Sequence, residues 1–192
     1  MHYNKTKFST KALATFLGLL FAVQPIAEKF NIKQKDEFKD WKNAHSIEGK
    51  CSAAFPKTPE HIVQKMPMKG QDKELQYYIY VSDLDKKEVF MVLVAQYPGE
   101  ITEENALPNL EHFLNTLISQ NANNRLIFAD LVKVHGFPGM DFFIRTDQVY
   151  FKGRAIQANN SLYLLAMECE VCNYQEEHFK YFIESFKFYL DK

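Results

Sequence analysis

The stretch that most constrains this chain is Val89 to Ala95, VFMVLVA, which is apolar at consecutive rather than alternate positions. A strand with one face in water alternates apolar and polar residues. An unbroken Val-rich run instead belongs to a strand covered on both faces. The run therefore predicts a central strand, and it obliges the rest of the chain to cover both faces of the sheet.

Two segments have the pattern to do so. From about Ala106 to Ser119, Leu107, Leu110, Phe113, Leu114, Leu117 and Ile118 recur at helical spacing as one stripe. Pro108 fits only a first turn, which puts the start near Asn105. From about Tyr174 to Phe188, Phe179, Phe182, Ile183 and Phe186 form a second stripe, and Asn173 with Glu176 resembles a capping box.

The remaining apolar runs read as strands. Before the central run lie a short strand in GKCSAAFP, ended by the prolines Pro56 and Pro59, one around His61 to Met66, and Leu75 to Ser82 with a turn at Asp83 to Lys87. Between the helices come Leu126–Val134, Met140–Thr146, Val149–Gln157 and Ser161–Cys169, the last two joined at Ala158-Asn159-Asn160. Short strands with short turns predict an antiparallel meander. The stretch VHGFPGMDF, Val134 to Phe142, is the corner between the first two, with Gly136 and Gly139 expected at positive φ around Pro138. The abundance of Phe (17) and Tyr (10) agrees with a strand-rich core.

The first residues look like a separate device. Lys5, Lys7 and Lys11 precede the uncharged run ALATFLGLLFAV, Ala12 to Val23, which is the order of a secretory signal. Such a run would rise about 18 Å as a helix, short of a hydrocarbon core of about 30 Å. Residues 1–27 are therefore expected to be a signal peptide, or an N-terminal anchor if uncleaved, with the protein secreted or at the periplasm and cell envelope. Residues 28–47 read as a linker or short helix, and a single domain is expected over 48–192. Membrane contact is expected only through the N-terminal segment.

With 23 basic and 24 acidic residues, the charge is balanced, which argues against a nucleic-acid binder. In an oxidising compartment Cys51, Cys169 and Cys172 could form one disulfide and leave one thiol over. An alternative use of Cys169, Cys172 and His178, with Cys51, is a metal-dependent or redox-active thiol site. Cys169 closes a strand instead of opening a helix, so a thioredoxin-type role has the wrong geometry. No G-x-S-x-G, P-loop, dinucleotide fingerprint or H-E-x-x-H occurs, and no cofactor is expected. His135 and Asp141 are the nearest thing to a catalytic pair, and they read better as turn residues. Tyr150, Lys152 and Arg154, with Arg145 on the neighbouring strand, form a basic-aromatic patch that could bind an acidic partner surface.

The order of these elements, an opening strand ending F-P-x-x-P, the corner G-F-P-G-M-D, strands carrying Arg154 and Tyr163, and a last helix ending at Ser185-Phe186, resembles the PsbP-like superfamily. The resemblance covers roughly Glu48 to Phe188. It implies an α+β fold, an antiparallel sheet sandwiched between helices, and a non-enzymatic binding or assembly role toward a protein partner. It carries over no functional residue, because the matching positions belong to turns and core.

Overall fold

The structure, a computed structural model, describes residues 38–67 and 73–189. The expected signal or anchor segment, and the first part of the expected linker, lie outside the described residues. Among the described residues ten strands form two antiparallel sheets. A seven-stranded sheet has the order β3 (Glu60–Pro67), β4 (Glu74–Leu84), β5 (Glu88–Gln96), β9 (Ser161–Glu170), β8 (Val149–Ala158), β7 (Phe137–Thr146) and β6 (Asn124–Val134). A three-stranded sheet joins β1 (Lys42–Ser46), β2 (Cys51–Phe55) and β10 (Lys187–Phe188). The helices are α1 (Glu103–Ser119) and α2 (Glu176–Glu184), and a 3-10 turn (Val171–Asn173) precedes α2.

The apolar run around Val89 is β5, held between β4 and β9. Phe90, Val92 and Val94 point to one face, where they meet Tyr163, Leu165 and Met167 of β9, Cys51, Ala53 and Phe55 of β2, and Phe179 and Phe182 of α2. Leu93 and Ala95 point to the other, beside Leu162 and Leu164. On this second face Leu110, Leu114 and Leu117 bury the stripe of α1 against β6, β7 and β8, and Asn109 donates to Gln157 at 2.6 Å. The expectation of helices on both sides is thus met in part. One face carries α1, whereas the other carries the small sheet together with α2. The reason is size: nine residues of α2 cannot span the strands that need cover, and β2 supplies the rest.

Several local expectations are corrected. Residues 42–46, read as linker or short helix, form β1, because Ala44 faces the core while Asn43 and His45 face outward. The fold reaches back to Phe38, stacked on Tyr181 at 4.1 Å, and Trp41, edge-on to Phe90 at 5.0 Å. The second helix begins at Glu176 with Gln175 as its N-cap and no side-chain cap bond, so Asn173 does not cap it. Its expected last turn is replaced by β10. Pro108 lies beyond the first turn of α1, which starts at Glu103.

The corner is tighter than expected. β6 and β7 are joined by His135 and Gly136 alone, at φ 50° and 92°, the signs of a primed hairpin turn. Gly139 lies inside β7 without positive φ, and a Cβ there would sit 3.0 Å from the Ala155 carbonyl oxygen.

Candidate functional site

The four residues predicted to form a partner-binding patch do meet on one face. The register of β7 with β8 pairs Arg145 with Tyr150, Phe143 with Lys152, and Asp141 with Arg154. Two of the three cations are nevertheless already used. Arg154 grips Asp141 as a fork, Nε to Oδ1 at 2.6 Å and Nη2 to Oδ2 at 2.7 Å. That hydrogen bonding raises the guanidinium pKa above its ordinary value.

Lys152 is enclosed more completely, its side chain 12% exposed. Its ammonium donates to both carboxylate oxygens of Glu176, at 2.6 and 2.7 Å, and to the Tyr174 hydroxyl at 3.0 Å. Around it stand the rings of Phe179, Phe143, Phe128 and Tyr174, with centroids 5.0, 5.3, 5.8 and 5.8 Å away. Their faces stabilise a cation that burial would otherwise penalise. Burial alone would raise the Glu176 carboxyl, but hydrogen bonds from Lys152 and Tyr174 override it and hold it below the usual range. Burial and the bond to Glu176 push the Tyr174 phenol up.

Tyr150 packs edge-on against Phe143 and Tyr174, and Arg145 lies over its ring at 5.9 Å. Of the four predicted residues, only Arg145 keeps its side chain at the surface. The cluster therefore acts as a neutralised belt tying β7, β8 and the first turn of α2. Sequence reasoning had the residues but not the register, and it is register that sets Asp141 opposite Arg154.

The thiols do not come together as a site. Cys51 and Cys169 are buried in the shared core and Cys172 is exposed on the 3-10 turn; all three are free. Cys51 lies on β2 and Cys169 near the end of β9, within one core, and Cys172 Sγ lies 3.6 Å from Oε2 of Glu170. Burial pushes the Cys51 and Cys169 thiols up to about 12, far from the thiolate that nucleophilic or metal chemistry requires.

His178 does not join the cysteines. Its Nδ1 lies 2.6 Å from Oε2 of Glu88, a buried pair linking the start of β5 to α2. The other oxygen, Oε1, is buried with no partner among the described residues. Among those residues no group of three or more His, Cys, Asp or Glu side chains could hold a metal ion. His135 and Asp141 are also separated in role: His135 forms the exposed turn, whereas Asp141 is bound to Arg154.

What the patch lacks, the neighbouring sheet edge supplies. β6 is the outer strand beyond β7, and it exposes Leu126 (44%), Ile127 (50%) and Leu131 (63%). Its register shifts between Leu126 and Phe128, a bulge at Ile127. Among the described residues no strand pairs with the far side of β6, and an apolar outer strand of this kind is a template for another strand. Each of these residues was read as part of a strand, but its place at the edge depends on sheet order.

No protein-family model matches the chain, and no curated protein matches it. Solved structures do. Cyanobacterial PsbP (CyanoP) from Synechocystis sp. PCC 6803 superposes with a TM-score of 0.57 over 83% of this chain and 98% of that one, at 12% identity. A protein of unknown function from Pseudomonas aeruginosa covers 69% of this chain and 85% of its own, with a TM-score of 0.36 and 10% identity, too distant to support an argument. On the likeness to cyanobacterial PsbP, this chain has a PsbP-like fold of antiparallel sheets with two helices.

Proposed function

We propose that this domain is an exported, non-enzymatic assembly module that takes an extended segment of a protein partner along β6 at the cell envelope. The observation that carries the reading is the outer strand β6, with Leu126, Ile127 and Leu131 turned to solvent beside a cation cluster that is internally neutralised. Pairing by strand addition draws affinity from main-chain hydrogen bonds and specificity from such side chains. The envelope address is supported by the basic-then-apolar order of residues 1–23. The non-enzymatic reading is supported by the separate duties of His135, Asp141, Cys51, Cys169 and His178.

The test is site-specific photo-crosslinking in cells, with the reactive group at Leu131 and, as a control, at the exposed Lys86 of the β4–β5 turn. A discrete adduct at 131, absent at 86 and abolished by Ile127→Lys, is the expected result. No adduct at 131, or the same adducts at both positions, overturns the edge assignment. Intact mass of the chain recovered from cells tests export separately: loss of the first 22–27 residues is expected, and a full-length cytosolic chain contradicts it.

A further inference from the structure

The outer face of the small sheet carries a cleft of about 440 Å³, lined by β1, β2, β10 and the end of α2. Small-molecule sites span about 300–1,000 Å³ and combine an apolar body with a few convergent polar groups. The floor here is formed by Ser52 and Ala54, which point away from the core yet are 5% and 3% exposed. They are sunk because the walls rise around them.

One wall is braced. The Tyr189 hydroxyl donates to Ser52 Oγ at 2.7 Å and lies 3.0 Å from His45 Nδ1, while its ring stacks on His45. The floor's own polar groups are also satisfied: the Ala54 amide donates to Ser185 Oγ at 2.8 Å, and Ser185 donates to the Phe182 carbonyl at 2.6 Å. The remaining wall is unlike this. Glu184 and Lys187 both line the cleft, are exposed, and make no close ion pair with each other or with any other described residue, although the Glu184 charge contributes to raising the Arg154 guanidinium pKa. Elsewhere in this fold Lys57, Lys152 and Arg154 each close onto an acid within 2.7 Å, and Lys65 lies 4.0 Å from Glu74. An acid and a base that line the same hollow without pairing can complement a ligand with the opposite arrangement of charge.

We propose that this cleft binds a small zwitterion bearing an ammonium and a carboxylate, of amino-acid or dipeptide size. Glu184 takes the ammonium, Lys187 takes the carboxylate, and the rings of Tyr181 and Tyr189 flank the body of the ligand. The site is independent of β6 and adds a ligand to the assembly role.

Binding here has a built-in reporter. Trp41, the only tryptophan, is edge-on to Tyr181 with centroids 5.3 Å apart, and Tyr181 lines the cleft. The experiment titrates the full chain with L-alanine, L-phenylalanine, L-glutamate and glycylglycine, following Trp41 fluorescence and, in parallel, heat by calorimetry. Propionate and propylamine serve as half-molecules. The expected result is saturable binding of at least one zwitterion, at least tenfold weaker binding of each half-molecule, and loss of binding in Lys187→Glu and Glu184→Lys chains whose melting curves stay cooperative. No saturable binding of any zwitterion by either readout overturns the proposal. So does equal binding of propionate or propylamine, or unchanged binding in folded charge-reversed chains.

Discussion

Asp141 faces two residues across the sheet, Asp130 on β6 and Arg154 on β8, and only the second attracts it. Arg154 therefore both binds Asp141 and relieves a juxtaposition of like charges. With side chains 21% and 24% exposed, the pair sits between the surface and buried regimes. Arg154→Gln is expected to cost about 1–3 kcal/mol in denaturant unfolding, and adding Asp141→Asn is expected to recover part of that loss. A double-variant loss equal to the sum of the two single losses would show that the fork does not couple the two residues. Gly153 is the second residue whose chemistry is dictated by a neighbour. A Cβ there would meet Phe142 Cζ at 2.5 Å, and Phe142 is fully buried directly opposite. Gly153→Ala is expected to lower stability by about 1–3 kcal/mol, because a packed ring must move to admit one methyl group. Glu168 is unusual in another way. Burial pushes its carboxyl up from 4.5 to about 8, so the folded chain holds a proton that the unfolded chain releases. The contribution is present below about pH 4.5 and is lost as pH rises toward 8, so stability should fall across that window. Glu168→Gln should flatten this fall, as read by melting temperature against pH; an unchanged slope would assign it to other groups.

The elements divide into those that announce themselves and those that depend on partners. β5 and β9 were readable because a strand covered on both faces must be apolar throughout, and the two-residue Asn159-Asn160 turn was readable from residues that tolerate positive φ. α1 was readable from its stripe. β1 and β10 were not, because KNAHS and KF carry no pattern of their own and become strands only against β2. The start of α2 was misplaced for a related reason: it is fixed by Glu176 bonding to Lys152 on β8, a contact far away in sequence, and not by a local cap. The functional patch failed at the same step. Its residues were found, but cross-strand pairing decided which charges were free. Glu176→Gln should loosen the first turn of α2, seen as faster amide exchange over residues 176–180 with little change in β5. Uniform exchange along α2 would mean that Lys152 does not anchor the helix.

At the scale of the whole molecule, the three thiols report on opening of the fold. Cys172 is exposed, whereas Cys51 and Cys169 lie in the core shared by both sheets and α2. Alkylation of native protein at pH 8 is expected to modify Cys172 at once, and the two core thiols only at the rate of global unfolding. Early modification of Cys51 alone would show that the small sheet opens independently. The map of neighbours gives the molecule a definite assembly history. β6 to β9 meet their neighbours through short turns, so each hairpin closes a short loop. The bond between β5 and β9 instead joins Gln96 to Ser161 across α1 and the whole meander, and β2 meets β10 only when Ser52 finds Lys187. Contacts between residues so remote slow the search for the native state. On this topology the meander can be old and the clasp of β2 with β10 young in every folding event, so a nascent chain can pair β1 with β2 early but cannot complete its small sheet until Lys187 and Phe188 have left the ribosome.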